Sequence, residues 1–249
     1  MSDKLRVNEV EKYFGKKLFT SEQLFQFYLE KEPDLKESTF RWRVYSLKKQ
    51  NAIYSIKRGV YVTQNKKSFS PPINKRLKSL YKKIRIKFPY IEISIWDTSW
   101  LNNYMVHQPL TKNIIIEVDR EAMSSVFAFL QESTKNVFLN PSKHEIETYM
   151  ITGQSNIIVK NMLVESQIEI RDDVSIPKIE KIMVDLFVDD ELYSMYQGGE
   201  LKNIYAAFFE MFSINQSTLN RYATKRKVKE RFLKFLIEET DIDKTELYI

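Results

Sequence analysis

The chain has no cysteine among its 249 residues, so neither a disulfide framework nor a thiolate metal site can be built. Its two histidines, His107 and His144, are too few for most zinc sites. Glycine is scarce, at five residues, and no glycine-rich loop exists to cradle a phosphate, which excludes the P-loop and the dinucleotide fingerprint. No apolar run approaches the ~18 residues of a membrane span. The opening MSDKLRVNEV lacks the basic-then-apolar profile of a signal peptide. There is no internal repeat and no low-complexity tract. What is present is a globular composition of 43% hydrophobic, 13% aromatic and 29% charged residues, enough to bury a core and oppose disorder. The expectation is a cytoplasmic protein with no membrane association, no metal and no other cofactor, built as one large domain or two smaller ones.

Acidic residues are short in the first third. Residues 1–90 hold 22 Lys and Arg against 8 Asp and Glu, a net of +14, whereas the remainder holds 17 against 25, a net of −8. Such asymmetry suits a polyanion at the N-terminal end, and nucleic acid is the first candidate because phosphate neutralisation supplies much of its affinity. A lysine-rich solvated surface beside an acidic neighbour would give the same numbers.

The polar stretch Gln64 to Pro72, QNKKSFSPP, ends in two prolines and reads as a linker (64–72) between a unit at 1–63 and a domain at 73–249. In the first unit, helices are expected over Val7 to Phe14 and from Thr20, where Thr20 and Gln23 stand in capping-box spacing. A third is expected from about Ser38, as N-cap, to Gln50. At ~100° per residue its Phe40, Val44 and Leu47 share one stripe, while Arg41, Trp42, Tyr45, Ser46 and Lys49 fall opposite, with Arg43 at the flank. Cations, aromatics and hydroxyls on that free side suit phosphates and base edges. Trp42 and Tyr45 have a second reading, packed beneath the next element. That element, Ala52 to Thr63, has two β-rich runs around Lys57-Arg58-Gly59, the pattern of a hairpin with a three-residue loop. Three helices followed by a basic hairpin is the plan of a winged helix-turn-helix, with helix three in the major groove and the wing on the backbone. The fold expected for the whole chain is α+β: this winged unit, then a larger mixed α/β domain ending in a helical, bundle-like segment from about 177 to 249.

Asn74 to Lys87 places Leu77, Leu80, Tyr81 and Ile84 on one helical face and seven Lys or Arg on the other. That face either extends a DNA footprint or is a solvated surface of snorkelling chains. Strands are expected at Ile91 to Ile95, with one buried face, and at Asn113 to Val118, Val137 to Leu139, Ile157 to Val159 and Met162 to Val164. Helices are expected at Thr98 to Met105, Arg120 to Glu132, Lys143 to Thr152, Pro177 to Val188, Leu192 to Phe212 with a break at Gly198–Gly199, and Thr218 to Glu239. Catalytic signals are weak. Glu117 and Asp119 flank Val118 at a strand end, where two acids can hold a metal in a nuclease, but the accompanying motifs are missing. Ser94 or Ser99 with His107 lacks the positioned acid and oxyanion site of a triad. His107 and His144 read as structural.

The segments TFRWRVYSLKKQ and NAIYSIKRGVYV, together with IWDTSWLNNYMVHQP and KIEKIMVDLFVDDELYSMYQGGEL, resemble the AbiEi-type transcriptional regulators, antitoxins of type IV toxin–antitoxin (abortive infection) systems. The resemblance covers most of the chain and implies two activities. The winged unit would bind inverted repeats in its own promoter and repress it, as a monomer or dimer on double-stranded DNA. The second domain would counteract a nucleotidyltransferase toxin of the AbiEii type, with or without touching it. Carried onto this chain, DNA contact falls on Arg41, Arg43, Lys48, Lys49, Lys57 and Arg58. With Thr39, Trp42 and Tyr45 these form the expected DNA-binding set. Lys178, Lys181, Arg221, Lys225, Arg226 and Lys227 are candidates for a basic antitoxin surface. The expectation is a non-enzymatic repressor and antitoxin; the alternatives are a metal-dependent, nuclease-like enzyme with a DNA-binding N-terminal domain, or a protein-interaction adaptor.

Overall fold

The computed structural model describes residues 3–15, 17–50, 52–63, 67–150, 154–163, 166–240, 242 and 247. Two compact units emerge. The first comprises the described residues of 1–68, 209–215 and 242–249; the second comprises those of 69–208 and 216–241. The fold mixes helices with small sheets and turns helical toward its C-terminal end. Among the described residues, no helix is long and apolar enough to cross a membrane.

In the first unit, a 3-10 turn at Asp3–Leu5 leads into α1 (Val7–Phe14), which closes on Gly15 at φ 55°, a left-handed conformation that glycine adopts without a Cβ penalty. Phe19–Thr20 forms a two-residue strand, β1, and α2 (Ser21–Leu29) follows at once. The capping box is formed. The Thr20 hydroxyl accepts the Gln23 amide at 3.2 Å and the Gln23 side chain accepts the Thr20 amide at 2.8 Å, satisfying two backbone donors at the helix start. Helix α3 (Glu37–Lys49) has Lys36 at its N-cap, two residues before the expected Ser38, and no side-chain capping bond. Strands β2 (Tyr54–Lys57) and β3 (Val60–Val62) form the hairpin. β1 pairs with β3, Phe19 opposite Tyr61, giving an antiparallel sheet ordered β1-β3-β2. The core gathers Val10, Phe14, Leu24, Tyr28, Phe40 and Leu47 with Ile53 just before the hairpin and Tyr61 from it, and Val44 packs against it. The periodicity of α3 therefore assigned its buried stripe correctly. Residues 64–66 of the expected linker lie outside the described residues.

The second unit opens with α4 (Lys75–Lys87), capped by the Asn74 side chain accepting the Leu77 amide at 2.9 Å, and buries Leu77, Leu80 and Ile84. Strand β4 (Ile93–Asp97) runs into a 3-10 helix at Thr98–Tyr104, within the helix expected at Thr98 to Met105. Then come β5 (Lys112–Val118), a 3-10 turn at Arg120–Ala122, α5 (Met123–Gln131), β6 (Val137–Leu139), α6 (Lys143–Tyr149) and β7 (Ser155–Asn161). The sheet order is β4-β5-β7-β6; β5 pairs antiparallel with β4 and parallel with β7, and β6 pairs parallel with β7. The isoleucine run of β5 is central, as expected of a strand covered on both faces. All five β4 residues are buried, so its alternation does not mark a solvent face.

Met162 and Leu163 are not strand, and Val164 lies outside the described residues, as do residues 151–153 at the expected end of α6. The sequence reading missed the hairpin of β8 (Ile168–Arg171) and β9 (Val174–Pro177). Its turn residues Asp172 and Asp173 stand at φ 48° and 62°, as a two-residue primed turn requires. Pro177 closes β9 opposite Ile168 instead of opening a helix, and α7 (Ile179–Val188) starts after it. A 3-10 turn at Ser194–Tyr196 precedes α8 (Gly199–Met211), with Gly198 at φ 63° at the break. The last helical stretch divides into α9 (Gln216–Lys225) and α10 (Lys229–Glu239) around Lys227 at φ 59°.

Candidate nucleic-acid interface

Because Phe40, Val44 and Leu47 fix which side of α3 faces the core, its opposite side is committed to solvent. Thr39, Arg41, Trp42, Tyr45, Lys48 and Lys49 are all exposed there. The two aromatics do not pack beneath the hairpin: Trp42 is 50% and Tyr45 64% exposed. Apolar rings left in water beside cations are a cost to solubility that a binding surface recovers. Arg41 pairs with Glu37 at 3.0 Å, one turn back and equally solvated, a contact weak enough for a phosphate to displace. Lys48 and Lys49 end the helix, where the macrodipole favours cations.

The hairpin tip is tighter than expected. Lys57 pairs with Val60 after a register irregularity, so Arg58 and Gly59 alone make the reversal, with Gly59 at φ 77°. Arg58 is exposed; the side chain of Lys57 lies outside the described residues. The Gly59 carbonyl accepts the Ser21 amide at 2.7 Å, which ties the tip to the start of α2.

Arg43 does not belong to this surface. It is 3% exposed, donates to Glu32 at 2.6 Å, and lies over the Tyr28 ring at 4.7 Å. The Arg43 hydrogen bond holds the Glu32 carboxyl below its ordinary pKa, while burial pushes the Tyr28 phenol up to about 12. Arg43 is a structural cation between α3 and the end of α2, so its expected phosphate contact is withdrawn.

The six cations expected to form an antitoxin surface do not share one. Lys181 is 1% exposed and sits between Glu117 of β5, at 2.8 Å, and Asp185, one turn along α7. Burial alone would lower the Lys181 pKa, but the carboxylates of Asp185 and Glu117 outweigh it and hold it well above the ordinary lysine value. Burial likewise opposes charge on Asp185, yet Lys181, Lys160 and Arg226 keep its pKa depressed. Tyr222 donates to Asp185 at 2.9 Å, and Arg226 bridges Asp185 and Asp189, which Lys160 also reaches. Lys181 and Arg226 are thus held inside a neutral network of three cations and three carboxylates. Arg221 is exposed and donates to Gln167 at 3.1 Å, Lys227 is exposed, and Lys178 and Lys225 are half-buried.

The sequence reading did not find Lys160 or Asp189. They reach the wall of a cavity of about 240 Å³ lined also by Asn140, Pro141, Ile146, Asp190 and Glu191. A lysine directly after the apolar run Ile157 to Val159, in NIIVKN, was the available signal. Glu117 is engaged by Lys181, and Asp119 accepts the Glu92 amide at 2.9 Å, so these acids hold parts of the fold together. Among the described residues no three His, Asp or Glu side chains converge as a metal site. His107 leans on Glu200 through its ring and backbone, both at 2.9 Å. His144 faces Thr148 at 3.4 Å.

A family model described as a family of unknown function (DUF6577) matches residues 39–242, from the exposed face of α3 through the hairpin and the second unit. No curated protein matches the chain.

Proposed function

We propose, for a chain that belongs to the family of unknown function DUF6577, that the first unit is a winged helix-turn-helix that binds duplex DNA and makes the protein a transcriptional autorepressor. The observation that carries this reading is the outer face of α3, where Arg41, Lys48 and Lys49 are interleaved with exposed Trp42 and Tyr45. Its position in the order helix, strand, helix, helix, hairpin supports α3 as the groove-entering helix, with Arg58 at the wing. Lysine and arginine would hold the phosphates, while Thr39, Trp42 and Tyr45 would meet base edges and thymine methyls. Two copies on an inverted repeat suit such a reader. The resemblance to AbiEi-type regulators extends the proposal to an antitoxin that counteracts a nucleotidyltransferase toxin; co-expression is expected to restore growth to cells carrying such a toxin.

The deciding experiment is a gel-shift with DNA upstream of the gene against a scrambled duplex, titrated with salt. Preferential binding that weakens steeply with salt is expected. Replacing Arg41, Lys49, Lys57 and Arg58 with Ala should abolish it. Unchanged binding by that variant would overturn the proposed interface.

A further inference from the structure

Between Glu37 and Glu92 the sequence has no acidic residue and fifteen Lys and Arg. Those at the end of this stretch lie on α4, in the second unit. Lys75, Lys82, Lys83 and Lys87 are exposed there and make no ion pair with any described residue, whereas Arg76 donates to Ser155 and Lys78 pairs with Asp172. At 1.5 Å per residue the free lysines span about 18 Å of helix. Ile86, on the same outward side, is 71% exposed.

The turn after α4 adds an unusual feature. Arg85 donates to the Pro89 carbonyl at 3.2 Å and to the Ile91 carbonyl at 2.7 Å, and to the Tyr81 hydroxyl at 3.2 Å. The backbone on either side of Tyr90 is clamped to the last turn of the helix. The Tyr90 side chain itself is 98% exposed. An aromatic ring held in water on a fixed turn, three residues beyond a row of unpaired lysines, combines a stacking platform with an electrostatic track.

We infer that α4 and Tyr90 form a second nucleic-acid surface, specific for single strands: the lysines follow the phosphates and an unpaired base stacks on Tyr90. A membrane surface fits less well. An interfacial helix must lay its apolar face into the lipid, but the apolar face of α4, Leu77, Leu80 and Ile84, is buried within the unit. Duplex DNA offers Tyr90 no free base face to stack on. The inference does not depend on duplex binding by α3.

The test uses the full chain and fluorescence anisotropy with three probes: a labelled oligothymidylate of about 20 nucleotides, longer than a typical single-strand site, its duplex with oligoadenylate, and vesicles of phosphatidylcholine and phosphatidylserine. Salt-sensitive binding to the single strand is expected. Y90A should weaken it about tenfold, Y90F should retain it, and Lys82→Gln, Lys83→Gln and Lys87→Gln together should reduce the salt slope by about 2. Alanines at Arg41, Lys49 and Arg58 should leave it unchanged, which separates this surface from that of α3. The inference is overturned by absence of single-strand binding at low salt, by indifference to Y90A, by equal loss in the α3 variant, or by association through α4 with vesicles but not with the oligonucleotide.

Discussion

On α3, Arg41, Lys48 and Lys49 stand in water, and the carboxylate that Arg41 meets, Glu37, is as solvated as itself. On α7, Lys181 is sealed between Glu117 and Asp185, with Arg226 and Lys160 completing the charge balance around Asp185 and Asp189. Both helices carry cations that the sequence alone would assign to a surface. What separates them is the neighbourhood. A buried cation needs carboxylates at hydrogen-bond distance to offset desolvation, and an exposed one without them keeps its charge available to a partner. Arg43 shows that both fates occur on a single helix: two residues from Arg41, it is turned inward onto Glu32.

Breaking the two sets should therefore have opposite signatures. The largest effect on stability belongs to K181M, which leaves Glu117 and Asp185 as buried carboxylates without their lysine; a loss of about 3–5 kcal/mol is expected in urea unfolding, with no change in the salt slope of DNA binding. A variant as stable as the parent would mean the network does not hold the second unit together. R43L comes next, at about 1.5–3 kcal/mol, from loss of its charged hydrogen bond to Glu32. R41A, by contrast, should move stability by less than about 0.5 kcal/mol while lowering duplex affinity; stability loss as large as that of R43L would erase the contrast.

The smallest expected effect is a flat pH profile. The depressed Asp185 pKa contributes stability that is complete above the unfolded value of about 3.9 and lost as pH falls through the lower folded value. The raised Lys181 pKa contributes stability that is complete below about 10.4 and lost as pH rises through the higher folded value. The parent's unfolding free energy should therefore gain no pH dependence from these two groups between about pH 5 and 9. A slope inside that window would mean that one of the two groups changes charge there.

Local signals were legible in the sequence. Thr20 and Gln23 announced the start of α2, the spacing of Phe40, Val44 and Leu47 gave the inward face of α3, and the β-rich runs around Gly59 gave the hairpin. What was not legible depends on distance along the chain or on shortness. β1 has two residues, too few to show a period of two, and exists because β3 pairs with it. Arg43 falls near the edge of its stripe, and only the position of Glu32 decides its direction. Glu117 and Lys181 are 64 residues apart, so no spacing rule connects them. The β8–β9 hairpin was readable in principle, since Ile168 and Ile170 alternate with Glu169 and Arg171 before Asp172-Asp173.

Lys67 donates its amide to the Met211 carbonyl at 3.2 Å, and its own carbonyl accepts the Ser213 amide at 3.1 Å. These residues belong to the first compact unit although more than half the chain separates them. During synthesis, the α1–α3 and hairpin elements leave the ribosome long before Met211 and Ser213 do. The Lys67 contacts to Met211 and Ser213 therefore form only after the cationic helix α3 has long emerged.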